Sequence, residues 1–308
     1  MLKVYAYNAG KGDCIRIQYG DGHNIIVDSG VRRFGPEFQE ICESIHDDGE
    51  NIDLLIITHL DEDHLGGALY AMGDKKLSYI SEACMNYDKN VESNMSVNVQ
   101  LSSKQNIELY QRMTNRNILV KPAIQGTSYL LGGAQIDIIW PPQKVAQATY
   151  CEQSQSPLAY QSDYGQSLEK LGEAVIRRKD KSQSNRASVV FIFCYEGKKL
   201  LFTGDAWGTD IVTALPPKIT FDLIKLPHHG AVGNITEEWK DIRCKSFLVC
   251  TDGIAHPDKQ TIAKILKWNE EINVYSPSEW WKCGFLMKED KDKKTLQFFT
   301  TKNRAIEL

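Results

Sequence analysis

The chain has 308 residues, 42% apolar and 25% charged, enough to bury one large core; this composition excludes a disordered or fibrous chain. Its longest apolar runs, such as 54–57 and 189–193, fall far short of the roughly 20 residues that cross a bilayer, so no membrane span and no membrane partner is expected. A formal net charge of −4 excludes a uniformly basic sleeve for nucleic acid and leaves room only for a local groove.

The first residues, MLKVYAYNAG, alternate like a strand and lack the basic start and apolar stretch of a secretory signal. Eight cysteines, at 14, 42, 84, 151, 194, 244, 250 and 283, form no C-x-x-C pair, and several sit in apolar segments. Both features fit buried free thiols in a reducing cytoplasm better than a disulfide framework.

In chain order, extended segments read at 3–7, 14–19, 24–28 and 53–57, with turns such as Gly20-Asp21-Gly22 feeding hairpins into a mixed sheet. Helices are expected at 36–47, where Pro36 suits a first turn, from about Asp63, and at 102–117. Strands return at 135–140, 187–195, 199–203, 222–226, 246–250 and 273–275, with helices at 257–269 and after Gly208. Such alternation over two halves predicts an α/β sandwich, sheets inside and helices outside, as one domain over 1–308. Residues 141–186, rich in Gln and Ser and weakly periodic, read as an inserted loop region with one helix at 165–179.

The densest chemistry lies in IDLLIITHLDEDHLGGAL, residues 52–69, where a short apolar strand runs into His59, Asp61, Asp63 and His64. A strand end, a tight loop and a helix start let metal-binding side chains at this spacing converge beyond a sheet edge, and Gly66 and Gly67 let the helix pack close. The second half repeats the device: LLFTGDAWG sets Asp205 after one apolar run, and IKLPHHGAVG sets His228 and His229 after the next. His256 follows in IAHPD, whereas His23 and His46 read as surface residues. Basic residues expected near the mouth are Lys11, Arg186, Lys225 and the run Arg177, Arg178, Lys179 with Lys181; with Tyr150, Tyr160 and Tyr164 they suit phosphate contact and base stacking. Trp280 and Trp281 read as a core or partner-facing anchor.

Taken in order, Gly10-Lys11-Gly12-Asp13, Asp28 in IIVDSG, the full H-x-D-x-D-H-x-G-G from His59 to Gly67, Asn185 with Ser188-Val189-Val190, Gly204-Asp205, His228-His229-Gly230 and His256-Pro257 carry a family resemblance. The chain resembles the metallo-β-lactamase superfamily, and within it the hydrolase domain of ComEC-type DNA-uptake channels and its free-standing relatives. The resemblance implies an αββα sandwich of two mixed β-sheets flanked by helices, with two divalent metal ions at one sheet edge. Carried over, His59 and Asp61 hold the first ion; Asp63, His64 and His229 hold the second, with His228 as the alternative to His229; Asp205 bridges both. Asp28, with Asp13, Asn185 and Ser188, supports the ligands from behind.

Two departures from the family pattern matter. The wider superfamily has histidine where Asp61 stands and a further histidine in mid-chain, yet residues 65–227 contain none. The first site is then completed by Asn185, Ser188 or a water, or fills only with substrate. Oxygen donors in place of imidazole favour Mn²⁺, with Zn²⁺ or Mg²⁺ as the other candidates. Ala231 also follows the histidine pair where serine is usual.

The implied reaction is hydrolysis of a phosphodiester in DNA or RNA by a water activated between two metals, with Asp63 and His256 in catalytic roles. His256 either gives a proton to the leaving group or holds a substrate oxygen. Two other readings stay open: a hydrolase of a small nucleotide, lactone or thioester, and a weakly active regulatory subunit. The company such domains keep suggests a protein partner in a DNA-processing or defence system.

Overall fold

Successive residues of one strand feed different cores. Along residues 51–57, Leu54 and Ile56 enter one apolar cluster while Leu55 and Ile57 enter another on the opposite face, the period-two pattern of a strand buried on both sides. Leu200 and Phe202 likewise face one cluster and Leu201 a third. Three stacked cores require four layers, and the computed structural model, which describes residues 1–73, 79–87, 101–148, 162–290 and 295–308, has them.

The strands of the first sheet are β1 (Leu2–Ala6), β2 (Ile15–Tyr19), β3 (His23–Val27), β4 (Asn51–Ile57), β5 (Glu82–Met85) and β6 (Leu119–Pro122). The second sheet contains β7 (Ser128–Leu131), β8 (Ala134–Trp140), β9 (Val190–Tyr195) and β10 (Lys198–Phe202). After β11 (Thr220–Phe221) it continues with β12 (Leu223–Lys225), and after β13 (Arg243–Cys244) with β14 (Ser246–Leu248), β15 (Ile272–Ser276) and β16 (Leu296–Thr300). A last strand, β17 (Ile306–Glu307), returns to the first sheet, giving the order β17-β1-β2-β3-β4-β5-β6 against β16-β15-β14-β12-β10-β9-β8-β7, while β11 pairs β13 alone. Both sheets are mixed: β1 to β3 and β7 to β10 run antiparallel, whereas β3 to β6 and β10 through β16 run parallel.

Helices α1 (Gly35–Asp47), α2 (Glu62–Ala71) and α3 (Leu101–Thr114) cover the first sheet, burying Phe38, Cys42, Leu65, Leu69, Leu109 and Met113. After α4 (Gln143–Ala148), the second sheet is covered by α5 (Leu168–Glu173), which precedes the one-turn α6 (Gln183–Arg186), then by α7 (Gly208–Ala214) and α8 (Lys259–Asn269). This is the expected αββα sandwich. No helix among the described residues is long and apolar enough to cross a membrane.

Several local expectations are corrected. The helix expected at 165–179 stops at Glu173, because Ala174 is extended and β-branched Val175 and Ile176 follow. Strands β5, β6, β7 and β16 were not foreseen; β6 ends in Pro122 at a sheet edge, where a missing N–H is tolerated. His23, expected at the surface, is half-buried, its Nδ1 3.0 Å from Asp53 Oδ2, whereas His46 is exposed as expected and stacks on Tyr79 at 4.0 Å between ring centroids. Trp280 is a core residue. Five free cysteines are buried, Cys194 is half-buried and Cys283 is exposed, while Cys151, Tyr150 and Tyr160 lie outside the described residues.

One close approach sets the position of the densest motif. A Cβ at Gly67 would stand 2.0 Å from the Ser29 carbonyl oxygen. The bare glycine lets α2 lie against the turn after β3, where Ser29 N–H and Oγ both donate to His64 O, at 2.7 and 2.8 Å. Gly67→Ala is expected to cost at least about 2 kcal/mol in urea denaturation. Gly165→Ala, where nothing lies within 4 Å, should change stability by less than about 0.5 kcal/mol.

Candidate metal centre

Every loop that feeds the site leaves the same edge of the sandwich. Thr58 and His59 follow β4, Asp28 follows β3, Asp205 follows β10, and His228 and His229 follow β12; Asp13 comes from the turn between β1 and β2. Asp28, at φ 58°, accepts the Thr58 N–H at 2.7 Å, the Thr58 hydroxyl at 2.6 Å and His64 Nδ1 at 2.9 Å. The carboxylate thereby sets the tautomer of His64 and turns Nε2 outward. His229 is held the same way by the Cys250 carbonyl, 2.9 Å from Nδ1, and by Asp13 Oδ1 at 3.2 Å. His228 and His229 both take left-handed backbone, φ 47° and 56°, a strained pair that aims two adjacent imidazoles toward Asp205.

Four donors converge. Asp205 Oδ2 is 3.4 Å from His64 Nε2 and 3.6 Å from His229 Nε2, and the latter is 3.9 Å from Asp63 Oδ2. Donors around a tetrahedral ion at about 2.0–2.2 Å stand about 3.3–3.6 Å from each other, so these separations are close to those a bound ion requires. Both Nε2 atoms are buried without a hydrogen-bond partner among the described residues, as is Asp205 Oδ1. Native proteins rarely leave such atoms unsatisfied, and a cation would engage them. Asp63, His64 and His229 form one candidate donor group, and His59, His64 and Asp205 a second.

The electrostatics agree with that fit. Burial works to raise Asp205, but His64, His229 and His228 outweigh it and hold the carboxyl well below the usual range. Burial works against charge on His64, yet Asp205 and Asp28 lift it well above an ordinary histidine; Asp205 and Asp13 likewise raise His229. In metal-free protein, protons on the two imidazoles take the place that a metal cation would fill.

The first site is looser. Asp61 is 44% exposed, with Oδ2 3.9 Å from His59 Nδ1, and joins no donor group. Close to His59 Nε2, at 3.0 Å, stands the hydroxyl of Ser184, which is also 3.4 Å from Asp61 Oδ1. Ser188, the expected candidate, lies buried beneath Gly204 instead. Asn185 faces His228 Nδ1 at 3.5 Å and donates to Asp180 Oδ2 at 2.7 Å; Asp180 in turn stands 3.7 Å from His228 Nδ1. His228 Nε2 is 3.8 Å from Asp205 Oδ2, so both histidines of the pair face the same carboxylate. Ser184, Asp180 and Asn234, which is 3.0 Å from His228 Nδ1, were missed in the sequence. The available signal was Ser182, whose side chain caps α6 and so orients Ser184 and Asn185.

Of the expected basic residues, Lys11 reaches the site, 3.3 Å from Asp63 Oδ2. Lys225 does not line a mouth: it is 1% exposed and paired with Asp13 beneath the donors. Arg186 turns away, 2.8 Å from Asp210 and over the Trp207 ring at 5.0 Å. Arg178 pairs with Asp258 at 3.2 Å, while Arg177 and Lys179 are exposed. Asp258 also stands 3.7 Å from His256 Nδ1. Burial, reinforced by His228 and His229, pushes His256 down to about 3, so it is neutral at neutral pH. Of the two roles foreseen for it, a neutral imidazole suits holding a substrate oxygen.

Residues 7–81, which hold Asp13, Asp28, His59, Asp61, Asp63 and His64, match the model of the Metallo-beta-lactamase superfamily. The matched segment runs from the end of β1 to just before β5 of the αββα sandwich. Similar solved structures include YhfI from Bacillus subtilis, at 10% identity over 100% of each chain with a TM-score of 0.48. Zn²⁺-bound PqqB from Methylobacterium extorquens is similar at 9% identity over 97% of this chain and 88% of that one, TM-score 0.47. Igni18 from Ignicoccus hospitalis, described as a metallo hydrolase, is similar at 13% identity over 100% of each chain, TM-score 0.43. No curated protein matches the chain.

Within this αββα sandwich, Asp13 is a second buried carboxylate held in its charged form. Burial would raise it, but Lys225 and His229 draw it down to about 2, below the roughly 3.9 of an unfolded aspartate. Its contribution to stability is thus complete above pH ~4 and is lost as the pH falls toward ~2. Metal-free Asp13→Asn protein should lose melting temperature less steeply than the parent between about pH 4 and pH 2. Equal slopes would show that Asp13 is not ionised in the fold.

Proposed function

We propose that this chain is a metal-dependent hydrolase that cleaves phosphodiester bonds, with nucleic acid as its substrate. The observation that carries the hydrolase reading is the convergence of Asp63, His64, His229 and Asp205 on one point, with two buried imidazole nitrogens that have no hydrogen-bond partner among the described residues. Divalent ions held there would lower the pKa of water to about 7 and offset the charge of a phosphoryl group. The chain's own residues supply the rest: Asp28 and the Cys250 carbonyl orient His64 and His229, and Lys11 steadies Asp63 at the entrance. A neutral His256 is assigned to holding a substrate oxygen.

Support for a nucleic-acid substrate comes from the resemblance to ComEC-type hydrolase domains and from exposed Arg177 and Lys179, which flank the Arg178–Asp258 pair beside His256. Mn²⁺ is the proposed metal, because the carboxylates of Asp63 and Asp205 harden the site. A second reading has an observation of its own. A cleft of about 470 Å³, lined in part by Leu171, Val175, Arg177, Asp258 and Gln260, reaches the site through Asp258, 3.7 Å from His256 Nδ1, and none of the donors lines it. Its size is that of a small-ligand pocket, which favours a small anionic ester.

Asp63→Asn is expected to lower turnover of a phosphodiester at least about a hundredfold, the scale of losing one group that acts on developing charge. Its melting temperature should stay near the parent's, since Asp63 stands at a helix start. Parental turnover under metal-controlled conditions would remove the site from the reaction. Arg177→Ala with Lys179→Ala should weaken DNA binding and flatten its salt dependence, because fewer phosphates are neutralised. Unchanged DNA binding together with turnover of small esters would favour the second reading.

A further inference from the structure

Lys225 is outside the donor set, yet it is the buried cation of the site. Its ammonium pairs with Asp13, donates to the Gly204 carbonyl at 3.0 Å and stands 3.7 Å from Asp205 Oδ1. These partners come from both sheets: Asp13 from the turn between β1 and β2, Gly204 and Asp205 from the end of β10. A buried ion pair is weak evidence for stability, since an apolar pair of similar volume often serves as well. The geometry offers another reason for a lysine here. Asp205 Oδ1 faces Lys225, whereas Oδ2 faces the Nε2 atoms of His64, His229 and His228 at 3.4, 3.6 and 3.8 Å.

We propose that Lys225 is a positioning residue for the metal centre: its ammonium fixes the rotation of the Asp205 carboxylate, so that Oδ2 alone is presented to an incoming ion. The inference rests on reading Asp205 as a metal ligand. The same ammonium ties the Asp205 turn to the Asp13 turn, so the donors of the two sheets keep their register. Lys225 is too deeply buried to touch substrate, which separates this role from direct catalysis.

The test is the affinity of refolded metal-free protein for Mn²⁺ and Zn²⁺ by titration calorimetry, read beside melting temperature. Lys225→Met alone leaves Asp13 buried without its counter-charge, so the variants used are Asp13→Asn/Lys225→Met, which removes both charges, and Lys225→Gln, whose amide still donates to Asp13. The double variant is expected to melt near the parent and Lys225→Gln to melt lower while remaining folded at the titration temperature; each is expected to bind its first ion at least about tenfold more weakly, the scale seen when a residue that orients a metal ligand is lost. A folded variant of either kind that binds with parental affinity overturns the proposal. A parent that binds neither ion overturns the metal reading itself, and the two failures are thereby told apart.

Discussion

The site depends on one bond, from Nδ1 of His64 to Asp28 Oδ2 at 2.9 Å. An imidazole has two nitrogens, and whichever donates a proton inward leaves the other as a lone pair. Asp28 makes that choice because it is itself immobile: Thr58 donates to both of its oxygens, and its left-handed backbone turns the carboxylate back over the end of β4. The bond exists only because α2 can reach the turn that carries Asp28, and Gly67 lets the backbones meet. A glycine contact, a strand-end threonine and a second carboxylate thus decide where His64 Nε2 points, and Asp205, His229 and Asp63 are arranged around that point.

Charge balance is the second constraint. Asp13, Asp28, Asp63 and Asp205 bring four carboxylates together, and among the described residues the permanent cations paired with them are Lys225 and the exposed Lys11. Without metal, the deficit is met by protons on His64 and His229. An arriving divalent ion would displace those protons, so metal affinity and pH are linked in this site. The fold carries the arrangement: parallel strands β3, β4, β10 and β12 end at one edge, and the rigid layers between three cores keep those ends in place.

Much of this was legible in the sequence because its signals are local. A run of metal-binding side chains from His59 to His64 after an apolar strand, and Gly66 and Gly67 after them, is a pattern in which each residue type has a steric or chemical purpose. The two-faced burial of β4 follows from its unbroken apolar run. What the sequence hid depends on contacts between distant segments. Lys225 looked like a surface cation because lysine usually is one, and only Asp13, more than 200 positions away, explains its burial. Ser184 and Asp180 sit in a weakly periodic stretch whose single turn of helix is set by a Ser182 cap, a signal too short to stand out. The run 165–179 carried helical spacing, but tertiary packing against α8 uses only its first turns.

In this reading Asp63, His64, His229 and Asp205 together hold a divalent ion. Anomalous diffraction from crystals grown with Mn²⁺ or Zn²⁺, recorded on both sides of the metal edge, tests it directly. A peak is expected about 2.0–2.3 Å from His64 Nε2, His229 Nε2 and a carboxylate oxygen of Asp205. A metal bound elsewhere on the chain, or no peak at this site with either ion, would contradict it.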